Sequence, residues 1–302
     1  MRLRVVFLGC LLLLGGVLAT LLYVREVQPP VKPTLTSAFQ IFGETVRVVD
    51  RLASRAMPVD DFDEAALAEV YEVLHEQEEQ TPTTVYVNEV LATIAVHTTK
   101  DFSYRAFVVP WAVPNAMALP GGVIFVTEGL LETLDSEAQL AAVLAHEVGH
   151  IELSHCVDAI KYEIVAKKLG VLPLGQIADM VVHFFVRYSF SKTQEHEADL
   201  YAWTRLRYSR YDPGAVGGSF ATMVRWEAAT GASGYQPGPF RDYFASHPPL
   251  KVRAHEFNSR ADKWWRQHAA DRRYAGAQNL ADRSALADGP GLPGEWVTGV
   301  SF

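Results

Sequence analysis

The chain has 302 residues, 49% of them hydrophobic, which is enough apolar material for a full core and one main domain. A formal net charge of −8 argues against nucleic acid as a partner. The only two cysteines, Cys10 and Cys156, lie far apart, which excludes a disulfide framework and a cysteine metal site.

At the N-terminus, Arg2 and Arg4 precede an uncharged run from Val5 to Val24. At about 1.5 Å per residue such a run can cross a bilayer core. Residues 1–27 therefore read as a signal anchor, in the lipid bilayer through residues 5–24. The positive-inside rule puts the N-terminus in the cytoplasm and the rest outside, as for a single-pass protein of the cell inner membrane with a periplasmic or extracytoplasmic body. The rival is a cleaved signal peptide and a soluble periplasmic protein, but Val17-Leu18-Ala19 makes a poor cleavage site. Residues 28–60 read as a linker, with three prolines between Gln28 and Pro33, and a leading helix. The helical pattern runs on to about Gln80, with Ala65, Leu67, Ala68, Val70, Tyr71 and Leu74 on an apolar side and Glu64, Glu69, Glu72 and Glu76 between them.

Thr83 to His97 begins with β-branched residues and predicts a helix from near Asn88. Phe102 to Val109 alternates and predicts a strand. A second strand region, Trp111 to Thr127, is broken by Pro120-Gly121-Gly122 and ends in the strand Val123–Thr127. Ser136 and Gln139 suggest a capping box opening a buried helix from Glu137 to about His155. Val171 to Val186 is apolar but interrupted, and reads as a buried or interfacial helix. A charged helix follows over Glu195–Tyr208. Asp212-Pro213 opens another, Gly231–Pro239 is a loop, and Pro248–His268 is helical. The stretch from Tyr274 onward is rich in Ala, Asp, Gly and Pro and predicts poor order. The main domain is set at residues 61–258, and residues 259–302 form a tail that is first helical and then poorly ordered. The fold class expected is α+β, mainly helical, with a small sheet.

The chemistry centres on His146-Glu147-Val148-Gly149-His150. Histidines at i and i+4 of a helix lie about 40° apart around its axis, so both imidazoles can meet one Zn²⁺. Glu147, one step round from His146, can take a proton from the attacking water as general base. A catalytic zinc needs a third protein ligand. His155 lies about 140° round the helix from His150 and cannot join the same metal, so it reads as a helix-end histidine. Glu195 and Asp199 are the better candidates: i and i+4 on one face, Glu195 can ligate while Asp199 bonds the far nitrogen of a ligating histidine. Glu197 points elsewhere and reads as structural. His196 is the runner-up ligand.

With these motifs in place the sequence resembles the membrane-associated zinc peptidases that include the CAAX prenyl proteases, the HtpX heat-shock peptidases and their periplasmic relatives. Asn115 to Gly122 is similar to that family's N-A-x-x-x-P-G-G strand and turn. His146–His150 resembles its zinc motif, Ser191 to Asp199 its third-ligand helix, and Ser246-His247-Pro248 through Arg253 its closing segment. The match covers roughly residues 60 to 258. The resemblance implies a gluzincin fold with the small sheet beside the H-E-x-x-H helix. It also implies one Zn²⁺ on His146, His150 and Glu195, and Glu147 as catalytic base. The Asn115–Thr127 region would be the edge strand of the cleft, with Asn115 and Ala116 binding substrate; alternatively Asn115 is a simple turn residue. His247 is the first candidate to donate to the oxyanion, with Arg253 or a tyrosine as substitutes. His247 could instead cap the zinc or serve packing alone.

The function expected is that of a membrane-anchored zinc metalloendopeptidase cleaving protein or peptide substrates, such as misfolded or envelope proteins. Two other readings stay open at this point: a catalytically weak or self-inhibited pseudo-protease acting as an envelope chaperone or adaptor, and a zinc hydrolase of another substrate class.

Overall fold

The computed structural model describes residues 60, 61, 64, 65, 68, 81–158, 190–230, 250–286 and 291–299. The expected anchor at residues 5–24, the Val171–Val186 segment and His247 lie outside the described residues. Among the described residues no helix is long and apolar enough to cross a membrane.

Helix α1, Pro82–Ile94, opens earlier than its β-branched start suggests. Thr81 is the N-cap, its hydroxyl accepting the Thr84 N–H, and Pro82 sets the first helical φ without leaving an N–H unsatisfied. Asn88 bonds the backbone of Ala106 in both directions, at 2.8 Å each, and ties the helix to strand β1, Arg105–Val109. Strands β2, Ala116–Ala118, and β3, Val123–Thr127, complete a sheet of order β1-β3-β2. Strand β1 runs parallel to β3 and β2 runs antiparallel to it, so β2 is an edge of the sheet among the described residues. Gly121 and Gly122 turn the chain between β2 and β3 at φ of 86° and 99°. There L side chains are strained, and a Cβ on Gly121 would stand 2.4 Å from the Glu64 carbonyl oxygen.

That contact places the leading helical residues over the turn. Glu64, expected on the solvated side, is buried and accepts from Lys100 Nζ at 2.5 Å. The helix has turned so that the carboxylate meets a buried cation, which removes the cost of leaving either charge alone in the core.

Helix α2, Glu128–Thr133, is capped by Thr127, and α3, Glu137–Glu152, by Ser136. Only half of the expected capping box forms. The Ser136 hydroxyl accepts the Gln139 N–H, but the Gln139 side chain accepts from Asp135 N at 2.9 Å. Helix α3 is buried from Glu137 to Ile151. It ends at Leu153-Ser154, where Ser154 has φ 61°, and a new helical turn begins at His155. Helix α4, Lys192–Tyr208, packs along α3 and is followed by α5, Ala215–Thr230, and α6, Leu250–Gln267. Leu250, Arg253, Ala254, Phe257, Ala261 and Trp264 form the buried stripe of α6, at the i, i+3, i+4 spacing of a core-facing helix.

The expectation of poor order from Tyr274 onward is corrected by the structure. Strand β4, Arg272–Tyr274, pairs antiparallel with β5, Trp296–Thr298, and helix α7, Ala277–Asp282, lies between them in sequence. Tyr274 is fully buried, its hydroxyl donating to Asn279 Oδ1 and accepting from Leu292 N. The carbonyls of Ala275 and Gly276 accept the Ala138 and Glu137 N–H groups, which the first turn of α3 cannot satisfy itself. Composition suggested a loose tail; Tyr274, Leu280 and Leu286 anchor it in the core.

Candidate active site

Helices α3 and α4 come close together at Gly149. A Cβ there would lie 3.0 Å from Tyr201 Cβ and 3.2 Å from Ala198 Cα, so the absence of a side chain sets the approach. That approach carries the Glu195–Asp199 face of α4 onto the motif of α3. A capping box at the start of α4 fixes the entry: the Ser191 hydroxyl accepts from Gln194 N, and the Gln194 side chain accepts from Ser191 N.

The three expected ligands converge. His146, His150 and Glu195 are all buried and each offers one donor atom, these atoms lying within 4.8 Å of one another. The two histidines meet through their Nε2 atoms, 3.1 Å apart. Glu195 Oε1 is 3.4 Å from His150 Nε2, and Oε2 is 3.6 Å from His146 Nε2. His196, the runner-up, is half-exposed on the other side of α4, 3.9 Å from Glu256.

Asp199 takes the position expected of it, with Oδ1 2.9 Å from His146 Nδ1. Arg253 holds it by a two-pronged contact, Nη2 to Oδ1 at 2.6 Å and Nε to Oδ2 at 2.8 Å. The same guanidinium reaches Glu195 Oε2 through Nη1 at 3.0 Å and lies 4.1 Å over the Phe220 ring. Arg253 thus binds the two buried carboxylates of α4, Glu195 and Asp199, the role its place in the closing motif did not disclose. Burial pushes the Asp199 carboxyl upward, but the His146 bond and the Arg253 charge outweigh it and hold the group below the usual carboxylate range.

Glu147 is fully buried beside the ligands, and Ala118 N–H donates to its Oε2 at 2.8 Å. This bond ties the motif to the edge strand. Thr127 N–H donates to the Asn115 carbonyl, Asn115 N–H donates to Thr127 Oγ1, and Leu119 N–H donates to the Val123 carbonyl, so the backbone groups of residues 115 and 119 turn inward to the sheet. Ala118 points out to Glu147, and by the alternation of an antiparallel ladder Ala116 also directs its N–H and C=O outward. Asn115 is buried, and its Oδ1 has no hydrogen-bond partner among the described residues.

Three neighbours were not assigned to the site from the sequence, where His155 read as a helix-end histidine. Phe190 stacks on the His150 ring at 3.8 Å between centroids and 19° between planes. His155 is buried, with Nδ1 3.0 Å from His150 Nδ1, and its Nε2 is 3.1 Å from Glu197 Oε2. Burial lowers the pKa of His155 against the pull of Glu197. Cys156 is a buried thiol, pushed well up by burial, that donates to Ala118 O.

The donor set suits a divalent cation. Arg253 is shared by two buried carboxylates, Glu195 and Asp199, and a third, Glu147, is buried next to His146, a carboxylate-rich setting that suits a cation. Two imidazoles and a carboxylate are also a common ligand set for a catalytic metal with an open position.

Two histidines of one helix and a glutamate of the next, with a buried second glutamate beside them and a small sheet alongside, are the features of the gluzincin class of metallopeptidase domain. A family model described as Peptidase family M48 matches residues 78–261, more than half of the chain, and the chain belongs to that family. The mitochondrial metalloendopeptidase OMA1 of Schizosaccharomyces pombe is 35% identical over 179 residues, which cover 57% of this chain and 51% of that protein. The OMA1 of Arabidopsis thaliana is 31% identical over 159 residues, 51% of this chain and 31% of its own length. The metalloprotease YcaL of Escherichia coli is 28% identical over 160 residues, 48% of this chain and 58% of its own length. The chain thus spans about half the length of the first of these relatives and less than two thirds of the others.

Proposed function

We propose that this chain is a zinc-dependent metalloendopeptidase, with His146, His150 and Glu195 as the ligands and Glu147 as the general base. The observation that carries the reading is the convergence of the three buried donors at a point beside Glu147, itself held by the edge strand. When bound, zinc supplies Lewis acidity toward the scissile carbonyl and the attacking water. Glu147 takes the proton of that water on its carboxylate and passes it to the leaving amine. Ala118 N–H keeps Glu147 turned inward through Oε2. The outward N–H and C=O of Ala116 pair with an extended peptide, and the Asn115 amide supplies a further polar contact. Backbone pairing reads shape more than sequence, which suits protein substrates of many sequences, misfolded and envelope proteins among them.

His247 belongs to the same reading as donor to the oxyanion, and residues 1–27 as a membrane anchor that leaves the catalytic domain outside the cytoplasm. Both rest on sequence and on the family resemblance. The test is casein or peptide-library cleavage by the purified full chain, with and without chelator. Cleavage abolished by chelation and restored by zinc is the expected result. Zinc binding without cleavage would favour the self-inhibited chaperone or adaptor, and absence of zinc binding would overturn the reading.

A further inference from the structure

The break in α3 gives His155 a contact that a continuous helix denies it. Ser154 adopts φ 61°, and the new turn folds the His155 ring back toward His150, with 5.1 Å between centroids and planes at 67°. We infer that His155 and Glu197 are positioning residues for the ligand His150, joined in a relay from His150 through His155 to Glu197. The inference rests on the metallopeptidase reading above.

The ring nitrogens permit one arrangement. His150 turns Nε2 to the ligand cluster, so its ring proton sits on Nδ1. Nδ1 can then donate only to an acceptor, and the atom facing it at 3.0 Å is His155 Nδ1. With Nδ1 accepting, His155 carries its own proton on Nε2, where Glu197 Oε2 receives it at 3.1 Å. Each bond fixes the tautomer of the next. A partner on the far nitrogen of a ligating imidazole sets its orientation and raises its basicity. Phe190 restrains the plane of the His150 ring by stacking, and His155 fixes its direction within that plane.

The two ligating histidines are supported in different ways. His146 leans on Asp199, a buried carboxylate locked by Arg253. His150 leans on a ring whose carboxylate, Glu197, stands at the solvent edge with its side chain 51% exposed. Water can replace part of what Glu197 supplies, but nothing at the surface can replace the buried ring. The His155 ring therefore carries more of the effect than Glu197.

The test uses the full chain, with zinc affinity measured by chelator competition and the visible spectrum of the Co²⁺-substituted protein. His155→Phe keeps the ring volume and removes the acceptor. It should weaken zinc binding by about 10- to 100-fold and alter the Co²⁺ bands. His155→Asn keeps an acceptor near the Nδ1 position and should recover most of the affinity. Glu197→Ala should cost a few-fold and Glu197→Gln less. Zinc affinity within twofold of the parent for His155→Phe, with an unchanged Co²⁺ spectrum, would overturn the inference. If His155→Phe does not fold, the Glu197 pair decides: equal affinity in Glu197→Ala and the parent refutes the relay. A parent that binds neither metal would sink the metallopeptidase reading itself, a result distinct from either of these.

Discussion

Ala118 N–H points away from its own sheet and donates to Glu147 Oε2 at 2.8 Å. The edge strand that would take the substrate also holds the base that would cut it. Glu147→Gln preserves this bond, because the amide oxygen can still accept, but the amide cannot take up a proton. We expect zinc content and melting temperature close to the parent, with a loss of kcat of about 100-fold or more. Cleavage of a fluorogenic peptide at above a few per cent of the parent rate would remove Glu147 from the role of base.

Glu195→Ala should lose most of its zinc, whereas His196→Ala, on the exposed side of the same helix, should keep it. Metal analysis of the two purified proteins decides between them; equal occupancy would mean that the ligand has been misassigned. Asp199→Asn removes the charge bonded to His146 and to Arg253, and should weaken metal binding or activity by about 10- to 100-fold.

Gly149→Ala tests the approach of α3 and α4. Alanine favours a helix by about 1 kcal/mol over glycine. Here its methyl meets Tyr201 Cβ and Ala198 Cα, both parts of a packed helix with little room to give. The helices must part, at a net cost of about 1–3 kcal/mol. Denaturant unfolding reads the cost, and zinc affinity should fall with it because Glu195 moves with α4. A variant more stable than the parent would show that the contact is not limiting.

A chain ended at His268 should unfold at a lower temperature and expose hydrophobic surface to a dye. It loses the carbonyls that satisfy Glu137 N and Ala138 N, and it loses Tyr274 from the core. An unchanged melting curve would show the tail to be dispensable.

Asp135 gives a pH dependence. Burial raises its carboxyl, but bonds from Thr222, Gln139 and Arg225 outweigh this and lower its pKa. A group depressed in the folded state stabilises above its unfolded value, about 4, and loses that contribution as pH falls through the folded value. Melting curves of Asp135→Asn should therefore approach those of the parent as the pH drops below about 4, with the gap widest near neutrality. A gap constant with pH would exclude the mechanism.

The convergence of the three donors was legible because a helix fixes angles: i and i+4 brought His146 to His150, and Glu195 to the side of Asp199. Strand β3 was legible from its unbroken β-branched and aromatic run. What failed depended on contacts between distant segments. The wheel set His155 aside because it assumed a helix continuous through Ser154, and no sequence signal there announces a left-handed residue. Glu64 was placed on the water side because its partner, Lys100, is unrelated to it in the local pattern. The tail looked loose by composition because its order comes from strand pairing and from the start of α3. Arg253 was visible as part of a motif, but its two carboxylate contacts belong to the packing of α6 on α4.

The docking of Ala275 and Gly276 on the first turn of α3 bears on how the molecule comes into being. On a ribosome the chain emerges from its N-terminus, and domains generally fold as units. The helix bearing His146 and His150 is made early, yet the residues that complete its first turn are made more than a hundred positions later. Arg253, which secures Glu195 and Asp199, also arrives late. A growing chain therefore holds the histidines without the finished cage around them. On that order of synthesis, the first turn of α3 can be completed only once residues up to Gly276 have been made.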